Sequence, residues 1–252
     1  VIRIDASEEA QESIRATAGE CLPLELEPSE WDTEGFAACL PDDTAILFVH
    51  AINPYGFAWD RRVNEDNVDL NRNYMASADD YAGAPSGYAA LNGLLNPESP
   101  PSRLEPFKAK ALWHIWRTGL PALKETIARG QYEYPRGLFY GGKKPCASTQ
   151  IVQNHCDAWL AASPRIVHID LHTGLGPSGV GERICACRDD VEALARARAW
   201  WGGNGATPVT SIYDGSSTSA KLTGMMWASV YAECPQAEYT GIAMEYGTVP
   251  IA

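Results

Sequence analysis

The chain has 252 residues, of which 45% are hydrophobic and 21% charged, the proportions of a soluble globular protein with a core of ordinary size. Lys+Arg 20 against Asp+Glu 32 leaves a formal charge of −12, which repels polyanions and argues against a nucleic-acid partner. No apolar run approaches the ~20 residues of a membrane helix, and no basic-then-apolar leader follows Val1. No membrane partner is therefore expected.

Seven cysteines without a CxxC pair read as scattered reduced thiols, which makes the cytoplasm the expected location. Asp5 and Glu8 have capping-box spacing and predict a helix to about Thr17, stopped by Gly19. TAILFV (44–49) is apolar on both faces, the pattern of a strand buried in a parallel sheet. Residues 50–74 lose all periodicity and read as a long polar loop of the functional kind. Residues 82–107 are rich in Gly, Pro and Ser and read as loop, whereas 104–130 has helical apolar spacing. A short strand is predicted at 137–140, a helix at 147–162, and a second buried strand at RIVHIDL (165–171). Further on come a strand at GERICAC (181–187), a helix at 189–201 and a strand at GIAME (241–245). Strands alternating with helices imply an α/β fold on a largely parallel sheet. The tryptophans, Trp113, Trp116, Trp200 and Trp201 among them, read as core or pocket wall rather than interface.

In open α/β sheets, ligands bind beyond the carboxyl ends of the strands. Three features lie at such ends: the Asn/Arg loop after TAILFV, His172 after RIVHIDL, and Glu245 at the end of GIAME. Alternation along a strand puts Ile166, His168, Asp170 and His172 on one face. Asp170 is thereby placed to orient His172 as it would a metal-bound imidazole, although taken alone a structural histidine at a strand end is the favoured reading. Segment 60–74 (DRRVNEDNVDLNRNY) carries three arginines and four asparagines, a composition suited to gripping an anionic group. Self-neutralisation of its Arg and Asp residues is the alternative. GLGPSG (174–179) matches GxGxxG, but it contains a proline and precedes a strand instead of a helix, so a dinucleotide site is not expected.

Taken in order, HAINPYGFAWDRRVNEDNVDLNRNY, GLFYGG, HIDLHTGLGPSG and AMEYGT resemble a bacterial branch of the zinc carboxypeptidase family, DUF2817. The resemblance spans roughly residues 30–250. It implies a single domain built as a three-layer α/β/α sandwich around a mixed, mostly parallel sheet. It also implies one Zn2+ per chain and hydrolysis of an amide bond next to a free carboxylate, in a small peptide or an N-acyl amino acid. By this resemblance His172 is a zinc ligand, Glu245 the general base, Asn71 and Arg72 the pair that grips the substrate carboxylate, and Arg62 (or Arg61) the group that polarises the scissile carbonyl. An aspartoacylase-type deacylase would share this chemistry. A substrate-facing tyrosine is common in the family, with Tyr213 and Tyr231 as weak candidates here.

One departure stands out. The family takes its other two zinc ligands from HxxE, and the chain has no HxxE. In Trp31-Asp32-Thr33-Glu34-Gly35-Phe36-Ala37 the second half of the motif survives, so Glu34 is the expected carboxylate ligand and Trp31 stands where the histidine belongs. Only residues 38–43 then precede TAILFV, fewer than the ~10–12 that a parallel crossover needs. The spacing predicts a segment missing from the sequence near 31–38, and the resemblance, whose members continue well past EYGT, implies another after 252. A true deletion would instead leave a metal-free module that binds carboxylates.

Overall fold

The computed structural model describes residues 2–4, 41, 43–100, 102, 104–202, 208–217, 219 and 221–247. The predicted helix at 5–17, Trp31 and Glu34 lie outside the described residues. The chain forms two compact units, one of residues 1–50, 153–210 and 233–252, the other of residues 51–152 and 211–232.

The first unit holds the sheet. Its strands are β1 (Ile2–Ile4), β2 (Ala45–Leu47), β3 (Arg165–Ser178), β4 (Gly181–Cys185), β5 (Val209–Thr210) and β6 (Glu238–Gly247), in the order β2-β1-β3-β6-β4-β5. From β3 to β5 the sheet is mostly parallel: β3–β6 and β4–β5 are parallel, and β4–β6 is the one antiparallel pair. This is the α/β fold with a mixed sheet expected from the sequence. The backbone of the arrangement is the β3–β6 ladder, which runs from Arg165 opposite Glu238 to Gly174 opposite Gly247. The apolar alternation of RIVHIDL and GIAME explains it, since Ile166, Ile242 and Tyr239 are all buried. Helix α6 (Val191–Trp201) packs on β6, β4 and β5 through Ala193 and Ala197, whose small side chains are fully buried and permit close approach. Asp190 caps it, its carboxylate accepting from the amides of Glu192 and Ala193.

Several expectations change. TAILFV is shorter than predicted and antiparallel to β1, with Phe48 and Val49 exposed; at the end of the strand order a two-sided apolar pattern need not mean two-sided burial. β3 runs on through Gly174 and Gly176 to Ser178, and Gly179, at a φ of 76°, turns the chain, so GLGPSG opens no helix. Cys185 and Cys187 are buried free thiols; their mutual hydrogen bond and burial push the Cys185 thiol up, which keeps it inert.

The second unit contains α1 (Pro54–Ala58), α2 (Tyr88–Leu95), α3 (Phe107–Thr118), α4 (Leu120–Ala128) and the start of α5 (Ala147–Leu160). Most of α7 (Met226–Glu233) belongs to it as well. Residues 82–107, predicted to be loop, include α2, because Tyr88 and Leu91 bury at helical spacing inside a Gly/Pro-rich stretch. The single helix predicted at 104–130 breaks into two at Gly119, whose φ of 80° leaves the helical region, and Pro121 then fits the first turn of α4. The predicted strand at 137–140 is only one bridge, between Gln131 and Tyr140. Among the described residues no helix is long and apolar enough to cross a membrane.

Gly241 shows how tightly the sheet is filled. A Cβ there would overlap Tyr239 Oη and lie 2.9 Å from the Ala186 carbonyl oxygen. Gly241→Ala should destabilise the protein by about 1–3 kcal/mol, read as a lowered melting temperature. An unchanged melting temperature would contradict this packing.

Candidate functional site

In the sheet unit, parallel register places His172 directly opposite Glu245, and register partners project to the same face. Asp170, two residues before His172, shares that face, and its Oδ2 lies 2.7 Å from His172 Nε2. That contact sets a carboxylate against the imidazole, the arrangement that orients metal-bound histidines. Burial works to raise the Asp170 pKa, but the hydrogen bond and charge of His172, with His168, outweigh it and hold the carboxyl below its usual range.

The antiparallel neighbour of Glu245 is Glu182, which continues the row on the same face. Glu182 accepts a hydrogen bond from Thr210 Oγ1 at 2.8 Å. On this face the next cross-strand pair after His172 and Glu245 is Gly174 with Gly247, so the row ends where side chains are lacking. A Cβ on Gly174 would overlap Glu245 Oε2, which shows that the carboxylate leans into the space that glycine leaves. His168 lies deeper on the same face, with Nδ1 2.8 Å from Tyr239 Oη, and burial pushes its pKa down to about 4. It is a neutral core histidine.

In the helical unit, segment 60–74 is organised around Asp69, 2% exposed. Its Oδ2 accepts from Arg62 Nε at 2.7 Å, and its Oδ1 accepts from the Asn71 amide at 3.1 Å, capping the 3-10 turn Leu70–Arg72. Arg62 is half-exposed and 5.1 Å from the Phe139 ring centroid; among the described residues its two Nη groups have no partner. Arg61 is exposed and makes no such bond, so geometry selects Arg62 of the two. Asn71 accepts from the Met226 amide at 3.2 Å through Oδ1, which leaves its Nδ2 donors for a ligand.

Arg72 differs from expectation. It is 2% exposed, and its Nε and Nη2 donate to the Ala128 carbonyl at 2.9 and 2.7 Å. Nη1 donates to the Asn71 carbonyl at 2.6 Å. A guanidinium committed to backbone carbonyls inside the unit does not grip a substrate carboxylate; it fixes the Asn71 backbone instead. Burial lowers its pKa to about 10, partly offset by Asp69, so it stays cationic at neutral pH.

Asn73 is fully buried and donates to the Gly141 and Lys144 carbonyls while accepting from Cys146 N and Thr149 Oγ1. Asp69 N donates to the Tyr140 carbonyl. DLNRN and GLFYGG therefore interlock, which is the physical reason the two motifs occur together. Tyr213 and Tyr231 lie in this unit, Tyr231 edge-on to Trp227 at 5.9 Å.

Sequence reading missed Glu182 and Asp69. The parity of Glu182 within GERICAC was a usable signal, but its pairing with β6 was not visible. Asp69 was legible as an N-cap two residues before Asn71.

Chemically, the sheet unit offers a carboxylate-oriented imidazole beside a carboxylate, which suits one ligand of a zinc site and a general base. Among the described residues no three His, Cys, Asp or Glu side chains converge to hold a metal, and Glu34 lies outside them. The described donor set thus supplies one zinc ligand and does not by itself complete the three that catalytic zinc sites use.

An α/β protein with a histidine–carboxylate row at strand ends and an Asp-anchored Arg/Asn turn is the class that fold and side chains define. The model of a family of proteins of unknown function, DUF2817, matches residues 29–252, and the chain belongs to that family. No curated protein and no solved structure matches it.

Two predictions follow the geometry. Arg72→Gln should cost about 2–4 kcal/mol by leaving buried carbonyls unpaired, while Arg62→Gln, at the surface, should cost under about 1 kcal/mol. Comparable losses in chemical denaturation would contradict the two assignments. His168 has its folded pKa depressed below its unfolded value, so its contribution is complete above about pH 6.5 and is lost as pH falls towards 4. His168→Gln should flatten stability against pH over that window; an unchanged slope would show that burial of the neutral imidazole is not its source.

Proposed function

We propose that this protein is a carboxypeptidase-like hydrolase, akin to the zinc carboxypeptidases, acting on an amide bond next to a free carboxylate. Small peptides and N-acyl amino acids are the substrate class. The observation that carries the proposal is the His172–Glu245 register pair with Asp170 on the imidazole. Glu245 takes a proton from the attacking water and returns it to the leaving amine, and its lean over Gly174 leaves the carboxylate at the open end of the row. Asp170 orients the His172 imidazole.

The helical unit carries its own anion donors, the Arg62 Nη groups and Asn71 Nδ2, which suit a carboxylate or carbonyl oxygen. Arg72 is a positioning residue behind Asn71. A zinc ion, where bound, would be held by His172 with Glu34 and would supply Lewis-acid polarisation. The buried free thiols suit a reducing, cytoplasmic setting.

The second reading is a metal-free module that binds carboxylates through Arg62 and Asn71, favoured by the lack of three converging ligands among the described residues. One experiment separates the two: hydrolysis of a panel of N-acyl amino acids by zinc-loaded protein, with and without chelator. The enzyme reading expects chelator-sensitive turnover, a kcat about 10²–10⁴ lower in Glu245→Gln, and a raised KM in Arg62→Gln. Calorimetric binding of the same compounds without turnover, lost in Arg62→Gln, would establish the binding module instead.

A further inference from the structure

Helix α3 is amphipathic in the wrong direction for a helix that ends at water. Its half-buried residues are Ala111, His114 and Ile115, the side that packs towards α2 and α4. The outward stripe is Ala109, Leu112, Trp113 and Trp116, spaced three, four and seven apart, where a surface helix ordinarily carries its polar face. Leu112 is 65% exposed and Trp116 82%, and Phe107, Leu104 and Leu120 at the ends of the helix are exposed as well. Sequence reading put Trp113 and Trp116 in a core or pocket wall; Trp113 lines a cavity while half-exposed, and Trp116 stands at the surface.

Charge defines what this stripe meets. Lys108 stands one turn before Leu112 on one flank, and Lys110 and Arg117 lie within a turn of Trp113 on the other. The Arg117 guanidinium lies 5.3 Å from the Trp113 ring centroid. The helix contains no acidic residue, although the chain as a whole carries −12. Its one paired cation is Lys110, 2.6 Å from Glu105 just upstream. Beside Trp113 a cavity of about 750 Å3 opens between α2, α3 and α4, with Arg117 and Arg129 in its wall. Glu125, 3.7 Å from Arg129, is the acid there.

We propose that α3 docks this protein on an anionic lipid surface. Leu112, Trp113 and Trp116 enter the headgroup–acyl boundary while Lys108, Lys110 and Arg117 reach anionic headgroups from either side. An apolar stripe rich in Trp and flanked by cations is the pattern of a helix lying in a bilayer interface. A second copy is the weaker occupant, because a two-fold contact through α3 would set these cations against their own copies. The sequence led to the expectation of no membrane partner because it has no run long enough to span a bilayer; docking on a surface needs no such run. The inference does not depend on the proposed hydrolase activity.

The test is co-sedimentation of the full chain with phosphatidylcholine vesicles, with and without about one quarter phosphatidylglycerol. Binding is expected only to the anionic vesicles, with blue-shifted tryptophan emission and a steep loss at high salt. Lys108→Glu/Arg117→Glu should weaken it about thirtyfold or more, whereas the surface control Lys143→Glu/Lys144→Glu should weaken it far less. Leu112→Ser/Trp116→Ser should abolish it while leaving the melting temperature unchanged. The proposal is overturned by no binding to anionic vesicles at low salt, or by binding that the α3 variants leave intact. A dimer in light scattering that Leu112→Ser/Trp116→Ser dissociates, without vesicle binding by the wild type, would assign the face to a second copy.

Discussion

The parallel ladder between β3 and β6 is the constraint on which the candidate chemistry depends. Parallel pairing aligns the two strands end to end, so a histidine at the end of one and a glutamate at the end of the other become neighbours on one face. A one-residue slip would send Glu245 to the opposite face and leave His172 beside Met244 or Tyr246. Apolar alternation in the buried half of both strands prevents that slip, with Ile166 opposite Tyr239 and the fully buried Ile242 opposite Ile169. The packing that stabilises the sheet is thus the same packing that sets the functional row. The glycine pair beyond it keeps the row's end uncrowded.

The helical unit solves a different problem, holding a polar turn rigid without regular structure. Asp69 fastens Arg62 from one side and caps the turn from the other, while Arg72 and Asn73 bind the turn to neighbouring backbone carbonyls. Gly142, at a φ of 84°, lets the GLFYGG segment approach closely enough for this; a Cβ there would lie 2.8 Å from Asn73 Nδ2. Of the residues in DLNRN, only Asn71 keeps donors for a ligand, and the others build the platform under it. Arg62, by contrast, is half-exposed and bonded to Asp69 through Nε, which leaves its Nη groups at the surface.

Much of this was legible in the sequence where a pattern has a local cause. RIVHIDL and GIAME announced strands as short apolar runs, Asp170 announced its place beside His172 through parity, and the Ala/Arg-rich run at 189–201 announced α6. What failed had non-local causes. TAILFV looks buried on both sides, yet its pairing with β1 is antiparallel and its last residues are exposed. Arg72 looks like an anion ligand because arginine in a polar loop usually is one, and only the fold reveals the Ala128 and Asn71 carbonyls that occupy it. Likewise Trp116 looks like core material, because sequence cannot tell which apolar stripe of a helix faces inward. Glu182 carried only its parity within GERICAC, and its place beside Glu245 needed the pairing of β4 with β6.

The two candidate centres differ in what they ask of metal. Arginine and asparagine donors bind a carboxylate with or without an ion, whereas a His172 imidazole oriented by Asp170 next to Glu245 makes chemical sense chiefly around an electrophile. The most direct measurement is therefore zinc content by elemental analysis after loading and desalting, in the wild type and in His172→Ala. The account predicts about one ion per chain in the wild type and none retained by the variant. Zinc absent from the wild type, or retained equally by the variant, would contradict the assignment of the His172–Glu245 row as a metal-dependent hydrolytic centre.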